Sequence, residues 1–292
     1  PLKILVISSL SKTASGTNFE VYTFTLKITG MIHTILKDKS TKLFILLAGI
    51  FITNALLAEI IGVKIFSLED TVGVPRANIN LFGSPFSFHL TAGVLLWPVV
   101  FIMTDIINEY YGKRGVKFLS YLTIGLISYA FLIFTGAINL SPSEYFSVGN
   151  GIDKPDNAFR GIFGQGMWII IGSIIAFLIG QLLDVLIFHR IKKMTGEKYM
   201  WLRATGSTLV SQLVDSFVVL FIAFYIGKRL QTGQGDPWSL HQVLVTGTGN
   251  YIYKFAVAIL LTPVIYWVHA WIEKYLGKDL AANMKQGAMG AE

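Results

Sequence analysis

The chain has 292 residues; 14% of them are charged, 53% are hydrophobic and 13% are aromatic. A soluble globular domain carries about 25% charged residues, so this composition excludes an ordinary soluble enzyme and also a disordered protein. The absence of cysteine excludes disulfide scaffolds, thiol catalysis, cysteine-based zinc sites and iron–sulfur clusters.

Six segments are long and apolar enough to cross a bilayer as helices, which takes about 20 residues each. They are too continuous for barrel strands, so we predict an all-α integral membrane protein with six transmembrane helices. In chain order the predicted helices are 43–63, 90–109, 116–138, 164–188, 206–227 and 251–272. They form one domain over 31–277, with residues 1–30 an extension outside the fold and 278–292 a C-terminal tail.

Lysine and arginine are distributed unevenly between the two sides of the predicted bundle. Seventeen of the 24 lie before the first helix, in the 2–3 and 4–5 connections, and after the last helix. Because basic residues favour the cytoplasmic side, both termini are predicted to be cytoplasmic in a multi-pass protein of a bacterial inner membrane. The net charge of +7 is then mostly a topology signal, and no nucleic-acid partner is predicted.

Ionisable side chains stand in or near these apolar helices, where one charge costs about 2.5–3.5 kcal/mol at the centre of the bilayer. The strings GQLLD (180–184) and SQLVD (211–215) each place a glutamine three residues before an aspartate. Two helices therefore present the same pair of amide and carboxylate, which suits a flat heterocycle with N–H groups and a carbonyl. Asp215 is the deepest carboxylate and, with Gln212, the strongest candidate for substrate binding.

The other candidates fall into two groups. Further predicted substrate-binding residues are Gln181, Asn54, Trp97, Trp168 and Tyr253, although aromatic residues also anchor chains at the membrane interface. The predicted gating or structural polar residues are Asp105, Asn108, Glu109, Asp184, Arg203, Glu59 and Lys254.

Structural alternatives remain open for most of these polar residues. They are a Glu59–Lys254 ion pair, an Asp184 pair with Arg190 or Arg203, solvation of Asp105 and Glu109 beside Lys113 and Arg114, and an inter-helix hydrogen bond of Asp215.

Two patterns concern helix geometry. Gly172, Ala176 and Gly180 recur at every fourth position, which predicts close packing of another helix. Trp97–Pro98 and Thr262–Pro263 are predicted to kink or locally open their helices.

The sequence contains no set of histidines with metal-ligand spacing, no phosphate-binding loop and no nucleophile elbow. We therefore predict no enzyme, no cofactor and no metal. The enzyme-class alternative is an intramembrane aspartyl protease that uses Asp184 and Asp215, and it requires these two carboxylates to approach within hydrogen-bond distance. The Gly-x-Gly-Asp match at 233–236 lies in a polar connection before Pro237 and does not support it.

Four strings resemble the queuosine precursor transporter family, also called the vitamin uptake transporter family. They are TDIINEYYGKR (104–114), GQLLDVLIFHRIKK (180–193), WLRATGSTLVSQLVDSF (201–217) and LTPVIY (261–266). The resemblance runs from about Met31 to Gly277. The family's characteristic polar positions correspond to Asp105, Asn108, Glu109, Gln181, Asp184, Arg203, Gln212 and Asp215.

The resemblance implies an inner-membrane importer of 7-deazaguanine bases for tRNA modification, such as 7-cyano- and 7-aminomethyl-7-deazaguanine or queuine. It also implies a fold similar to the substrate-binding subunits of energy-coupling-factor transporters. The expected partners are thus a small purine-like molecule and the lipid bilayer, and a homodimer is compatible with the sequence. A binding subunit that needs a separate ATPase module is the second alternative. It is not favoured, because the small residues of the first helix form no clean stripe.

The chemistry of a guanine-like base fits this implication. Its N1–H and N2–H groups can be accepted together by a carboxylate, and its carbonyl needs a donor. We expect Asp215 and Gln212 to contact the edge of the base, an aromatic residue to cover its face, and Asp105 and Glu109 to stabilise an inner gate.

Overall fold

The computed structural model describes residues 37–77, 79–148, 154–164, 167–196, 198–230 and 236–290. The predicted extension 1–30 and the Gly-x-Gly part of the 233–236 motif lie outside the described residues. The chain divides into two units, residues 1–46 and 47–292.

The first unit contains the beginning of helix α1 (Lys39–Ile61). Asp38 precedes this helix, and its Oδ2 accepts hydrogen bonds from the backbone N–H of Thr41 at 2.7 Å and from the Thr41 hydroxyl at 2.6 Å. An aspartate at this position satisfies an N–H group that has no partner within the helix.

The second unit continues with a connection that contains short strands. Its elements are β1 (Ile65–Ser67), α2 (Leu68–Val72), β2 (Ile79–Leu81), β3 (Ser84–Phe86) and β4 (His89–Thr91). β1 pairs antiparallel with β4, and β2 pairs antiparallel with β3. The β2–β3 hairpin turns at Phe82 and Gly83, which both have positive φ, as tight hairpin turns require.

The next helix begins later than predicted. After β4 the chain forms a 3₁₀ turn (Ala92–Leu95), and helix α3 (Trp97–Ile138) follows. The expected kink at Trp97–Pro98 was wrong, because Pro98 stands in the first turn of α3, where its missing N–H needs no partner.

Helix α3 contains the second and third predicted helices, 90–109 and 116–138. Its 42 residues would span about 63 Å if straight, about twice the hydrocarbon core. Gly112 interrupts it with non-helical angles, φ 65° and ψ −171°, and divides it into two arms. A Cβ at Gly112 would lie 2.7 Å from the backbone oxygen of Ala288, so a close backbone contact also requires glycine there. The predicted polar connection between the arms is thus a single break.

The remaining elements are helical. They are α4 (Glu144–Val148), α5 (Pro155–Phe163), α6 (Met167–Thr195), α7 (Met200–Leu220), a π-helical segment (Phe221–Gly227), α8 (Lys228–Leu230), α9 (Leu240–Leu276) and α10 (Lys278–Gly290). α10 covers most of the predicted tail 278–292.

Five helical stretches among the described residues are long and apolar enough to cross a membrane. They are Lys39–Ile61, Trp97–Ile138, Pro155–Thr195 (described on either side of residues 165 and 166), Met200–Leu230 and Leu240–Leu276. Several extend beyond the predicted bounds, because a helix continues past its apolar window. The architecture is that of an all-α membrane protein.

The stripe of small residues on α6 brings that helix against α7 and the π-helical segment. A Cβ at Gly172 would lie 3.1 Å from the backbone oxygen of Val219, and one at Gly180 would lie 3.7 Å from the Cβ of Asp215. Such close approach is what small residues permit between membrane helices. The contact also brings the two Gln-x-x-Asp segments beside each other.

Candidate substrate site

A cavity lies between the N-terminal arm of α3, helix α7 and helix α9. It is lined by Val94, Trp97, Pro98, Phe101, Ile102, Asp105, Thr208, Gln212, Tyr253, Lys254, Val257, Ala258, Leu261 and Ile265. The space left between these side chains is about 30 Å³, room for one or two water molecules. A larger ligand therefore requires some of them to move aside.

Two acceptor oxygens on the cavity wall lack a donor. Gln212 is 3% exposed and Asp105 is 2% exposed, and neither Oε1 of Gln212 nor Oδ1 of Asp105 has a hydrogen-bond partner among the described residues. Buried polar atoms are normally hydrogen-bonded. Two free acceptors in a mostly apolar cavity are the arrangement that a ligand with N–H groups would complete.

Aromatic side chains occupy one part of the wall. Trp97 lies at the start of α3 and stacks on Phe101 with ring centroids 6.0 Å apart and planes 20° apart. Tyr253 lines the cavity from α9. Of the predicted aromatic candidates, Trp97 and Tyr253 are therefore at the cavity, whereas Trp168 is not among its lining residues and contacts Gly227.

The other two predicted substrate-binding amides also lie away from the cavity. The Asn54 side chain donates to the backbone oxygen of Ile50 at 2.8 Å, one turn earlier in α1. Oε1 of Gln181 accepts from the hydroxyl of Thr104 at 3.2 Å and so joins α6 to α3. The two glutamines of the repeated strings thus have different surroundings, since Gln212 lines the cavity and Gln181 is bonded to a neighbouring helix.

Asp215 does not line the cavity, but it contacts a residue that does. Lys254 Nζ lies 2.5 Å from Asp215 Oδ2, and the two side chains are 14% and 21% exposed. The alternative of a Glu59–Lys254 ion pair was wrong, because Lys254 pairs with Asp215, and Glu59 accepts a hydrogen bond from the Ser173 hydroxyl. The pairing fixes the Lys254 ammonium at the cavity wall.

A buried ion cluster lies where α3, α6 and α7 meet. Arg203 donates to both carboxylate oxygens of Glu109 at 3.1 and 2.8 Å, and Lys192 Nζ lies 3.1 Å from Glu109 Oε2. These side chains are at most 1% exposed. The alternative of solvation near Lys113 and Arg114 was therefore wrong for Glu109.

Arg203 also connects the ends of two helices. Its Nη1 donates to the backbone oxygens of Gly196 at 3.1 Å and Lys198 at 3.4 Å, in the connection from α6 to α7. A guanidinium presents several N–H donors in a fixed fork, which suits such a junction.

Asp184 lies among hydroxyl groups. It accepts from the Thr208 hydroxyl at 3.4 Å, whereas the Ser207 and Ser211 hydroxyls, also on α7, donate to the backbone oxygens of Ala204 and Thr208. Asp184 forms no ion pair with any described residue, so the alternative of a pair with Arg190 or Arg203 was wrong. Within the described residues, no group of three or more histidine, aspartate or glutamate side chains is arranged to hold a metal ion.

Comparison with known proteins identifies the family. A family model described as "Putative vitamin uptake transporter" matches residues 91–268. The chain belongs to the vitamin uptake transporter family. This confirms the resemblance, and the transporter is accordingly a multi-pass membrane protein.

Three curated relatives agree with the family match. The "Probable queuosine precursor transporter" of Bacillus subtilis is 30% identical over 65% of this chain and 77% of its own. The Haemophilus influenzae protein of the same name is 29% identical over 63% of this chain and 69% of its own. The "Queuosine precursor transporter" of Escherichia coli is 29% identical over 65% of this chain and 77% of its own. No solved structure matches the chain.

The spacing of residues along single helices could have revealed several cavity residues of the transporter. The sequence analysis had assigned one of them, Asp105, to a gate and had not named others. Trp97, Phe101 and Asp105 recur at every fourth position of α3, and Thr208 stands one turn before Gln212 on α7. Residues four apart share a helix face. Phe101 could therefore have been predicted from Trp97 and Asp105, and Thr208 could have been predicted from Gln212. The lining role of Lys254 had no such signal.

Proposed function

We propose that the chain imports queuosine precursors, which are 7-deazaguanine bases, across a bacterial inner membrane. The family and the names of the three relatives support this function. In this proposal the chain crosses the membrane six times, through α1, the two arms of α3, α6, α7 and α9, with both termini cytoplasmic.

The observation that carries the proposal is the pair of acceptors without donors in the cavity, on Asp105 and Gln212. A guanine-like edge presents N1–H and N2–H side by side, and these are the donors that two neighbouring acceptor oxygens can take. Lys254 would donate to the carbonyl of the base. Trp97 and Tyr253 would pack on its faces.

This assignment changes the sequence-based expectation for Asp215. Its carboxylate lies 2.5 Å from the Lys254 ammonium and outside the cavity lining. We assign it the role of holding Lys254 in place, and we assign the contact with the edge of the base to Asp105 and Gln212.

Import also needs the cavity to change size. The present space of about 30 Å³ holds one or two waters, so a purine-like base fits only when some of the lining side chains move aside. A carrier must open this site to each side in turn. The buried Glu109–Arg203–Lys192 cluster joins α3, α6 and α7 and is the contact that we expect to hold one side shut.

The test is uptake by a strain that cannot make queuosine precursors and that expresses this chain alone, with queuosine in tRNA as the readout. We expect 7-cyano-7-deazaguanine in the medium to restore queuosine. Restoration by the chain alone also separates a self-sufficient carrier from a binding subunit that needs an ATPase module. No restoration despite normal protein in the membrane would contradict the proposal.

The repeated strings provide a matched pair of variants. Gln212→Leu removes the acceptor at the cavity, whereas Gln181→Leu removes the same side chain one helix away, where it bonds to Thr104. We expect Gln212→Leu to reduce uptake at least tenfold and Gln181→Leu to retain it when corrected for protein amount. Equal losses of uptake in the two variants would indicate that both glutamines stabilise helix packing and that neither binds the substrate.

A further inference from the structure

Asp105 lies on α3 and Asp184 lies on α6, and these two helices contact each other. One residue before Asp105, Thr104 bonds to Gln181, which is one turn before Asp184. Asp184 in turn bonds to Thr208, and Thr208 and Asp105 line the same cavity. These contacts place the two carboxylates in one buried region, where like charges repel each other. Asp105 is on the cavity wall and Asp184 is behind it.

Several acceptors in this region have no donor. Oδ1 of Asp105, Oδ2 of Asp184 and both Oδ1 and Nδ2 of Asn108 have no hydrogen-bond partner among the described residues. The three side chains are 2%, 2% and 0% exposed, so bulk water does not reach them. A proton on one carboxyl converts an acceptor into an O–H donor, which can then serve a neighbouring acceptor.

The charges of this region do not balance. Asp105, Asp184 and Glu109 are three acids, and the bases that contact Glu109 are Lys192 and Arg203. If all five are ionised, one negative charge is in excess. Two carboxylates that share a buried site do not both ionise readily, so one added proton makes the cluster neutral.

The other ionisable groups nearby do not supply the missing positive charge. Lys254 is paired with Asp215, and Lys285 is paired with Glu273. The remaining titratable groups on the neighbouring helices are the buried histidines His189 and His269, and the acid Glu59 on α1, which accepts a hydrogen bond from the Ser173 hydroxyl.

We propose that Asp105 and Asp184 hold one exchangeable proton between them and that this proton crosses the membrane with the substrate. This inference rests on the proposed function. With the proton on Asp184, the ionised carboxylate of Asp105 accepts the N–H groups of the base. After the site opens to the cytoplasm, the base leaves and the proton is released to water on the same side. The empty carrier then takes a new proton from the outside.

The experiment uses the full chain, purified and reconstituted in liposomes, with labelled 7-cyano-7-deazaguanine as the probe because this base is uncharged. Counterflow, the exchange of labelled for unlabelled base without any gradient, measures binding and translocation alone. Accumulation against a pH gradient measures coupling. For one proton per base, each pH unit is expected to drive about tenfold accumulation.

Asp184→Asn is the deciding variant. It removes the excess charge without touching the cavity wall, so counterflow should persist while a pH gradient no longer drives accumulation. Glu59→Gln is the matched control, since it neutralises a partly buried carboxylate outside the pair, and it should remain coupled.

The outcomes are distinguishable. Absence of counterflow by the unaltered protein would contradict the proposed function itself. Counterflow with no effect of pH, accumulation driven by a sodium gradient instead, or coupling lost in Glu59→Gln but kept in Asp184→Asn would each overturn the shared proton.

Discussion

Removing Arg203 is expected to destabilise the protein more than removing any exposed arginine. In the structure the Arg203 guanidinium donates to both oxygens of Glu109, at 3.1 and 2.8 Å, and both side chains are 1% exposed. Arg203→Ala leaves the Glu109 carboxylate buried with Lys192 as its remaining cationic contact. Breaking a buried ion pair by removing one partner costs about 3–5 kcal/mol.

A second arginine in the same chain provides the comparison. Arg160 Nε lies 2.7 Å from Asp156 Oδ2 one helical turn away, and their side chains are 42% and 30% exposed. Exposed pairs with this spacing contribute about 0.3–0.5 kcal/mol. The same substitution, arginine to alanine, should therefore cost several times less at position 160 than at position 203.

The assay is the free energy of unfolding of the purified protein, measured by titrating a denaturing detergent into a mild one. We expect Arg203→Ala to lower this free energy by about 3 kcal/mol or more, and Arg160→Ala by less than about 1 kcal/mol. Equal effects of the two substitutions would refute the reasoning that burial makes the Glu109 cluster a main support of the α3–α6–α7 junction.

Three further predictions concern single contacts. Lys254→Met should reduce uptake at least tenfold, and adding Asp215→Asn should recover protein stability but not uptake, as measured by thermal unfolding and by the queuosine assay. Gly112→Ala should lower the free energy of unfolding by about 1–3 kcal/mol, because it forces an alanine to positive φ against the Ala288 backbone; an unchanged unfolding free energy would contradict this. Burial opposes ionisation of Glu69, but backbone N–H donors outweigh it and hold its pKa below the usual value. The contribution of Glu69 to stability is therefore present above its unfolded pKa and lost as pH falls through the folded one. The protection factors of amides in residues 65–91, which correct for the intrinsic exchange rate, should therefore fall only in acid.

The helices were largely predictable because the thickness of the bilayer dictates their length and lipid requires internal backbone hydrogen bonds. Their ends were less so. In the sequence Pro98 lies within an apolar run and predicts a kink there. In the structure the strand β4 and a 3₁₀ turn precede Pro98, which therefore stands in the first turn of a new helix. Gly112 is visible in the sequence, but its non-helical angles accompany a close contact with Ala288, 176 residues later in the chain.

The candidate site shows a similar division. Residues that share one helix face, such as Phe101 and Asp105, follow from a spacing of four. Contacts between residues of different helices cannot be predicted from this spacing, because they depend on how each helix is rotated about its axis. Lys254 therefore pairs with Asp215 and not with Glu59, although sequence depth pointed to Glu59.

The most direct measurement is equilibrium binding of 7-cyano-7-deazaguanine to the purified protein, because the account depends on donor-free acceptors in the α3–α7–α9 cavity. The unaltered protein should bind the base saturably. Gln212→Leu should weaken binding at least tenfold, and Gln181→Leu should bind as the unaltered protein does. No saturable binding by the unaltered protein, or equal binding by Gln212→Leu, would contradict the account.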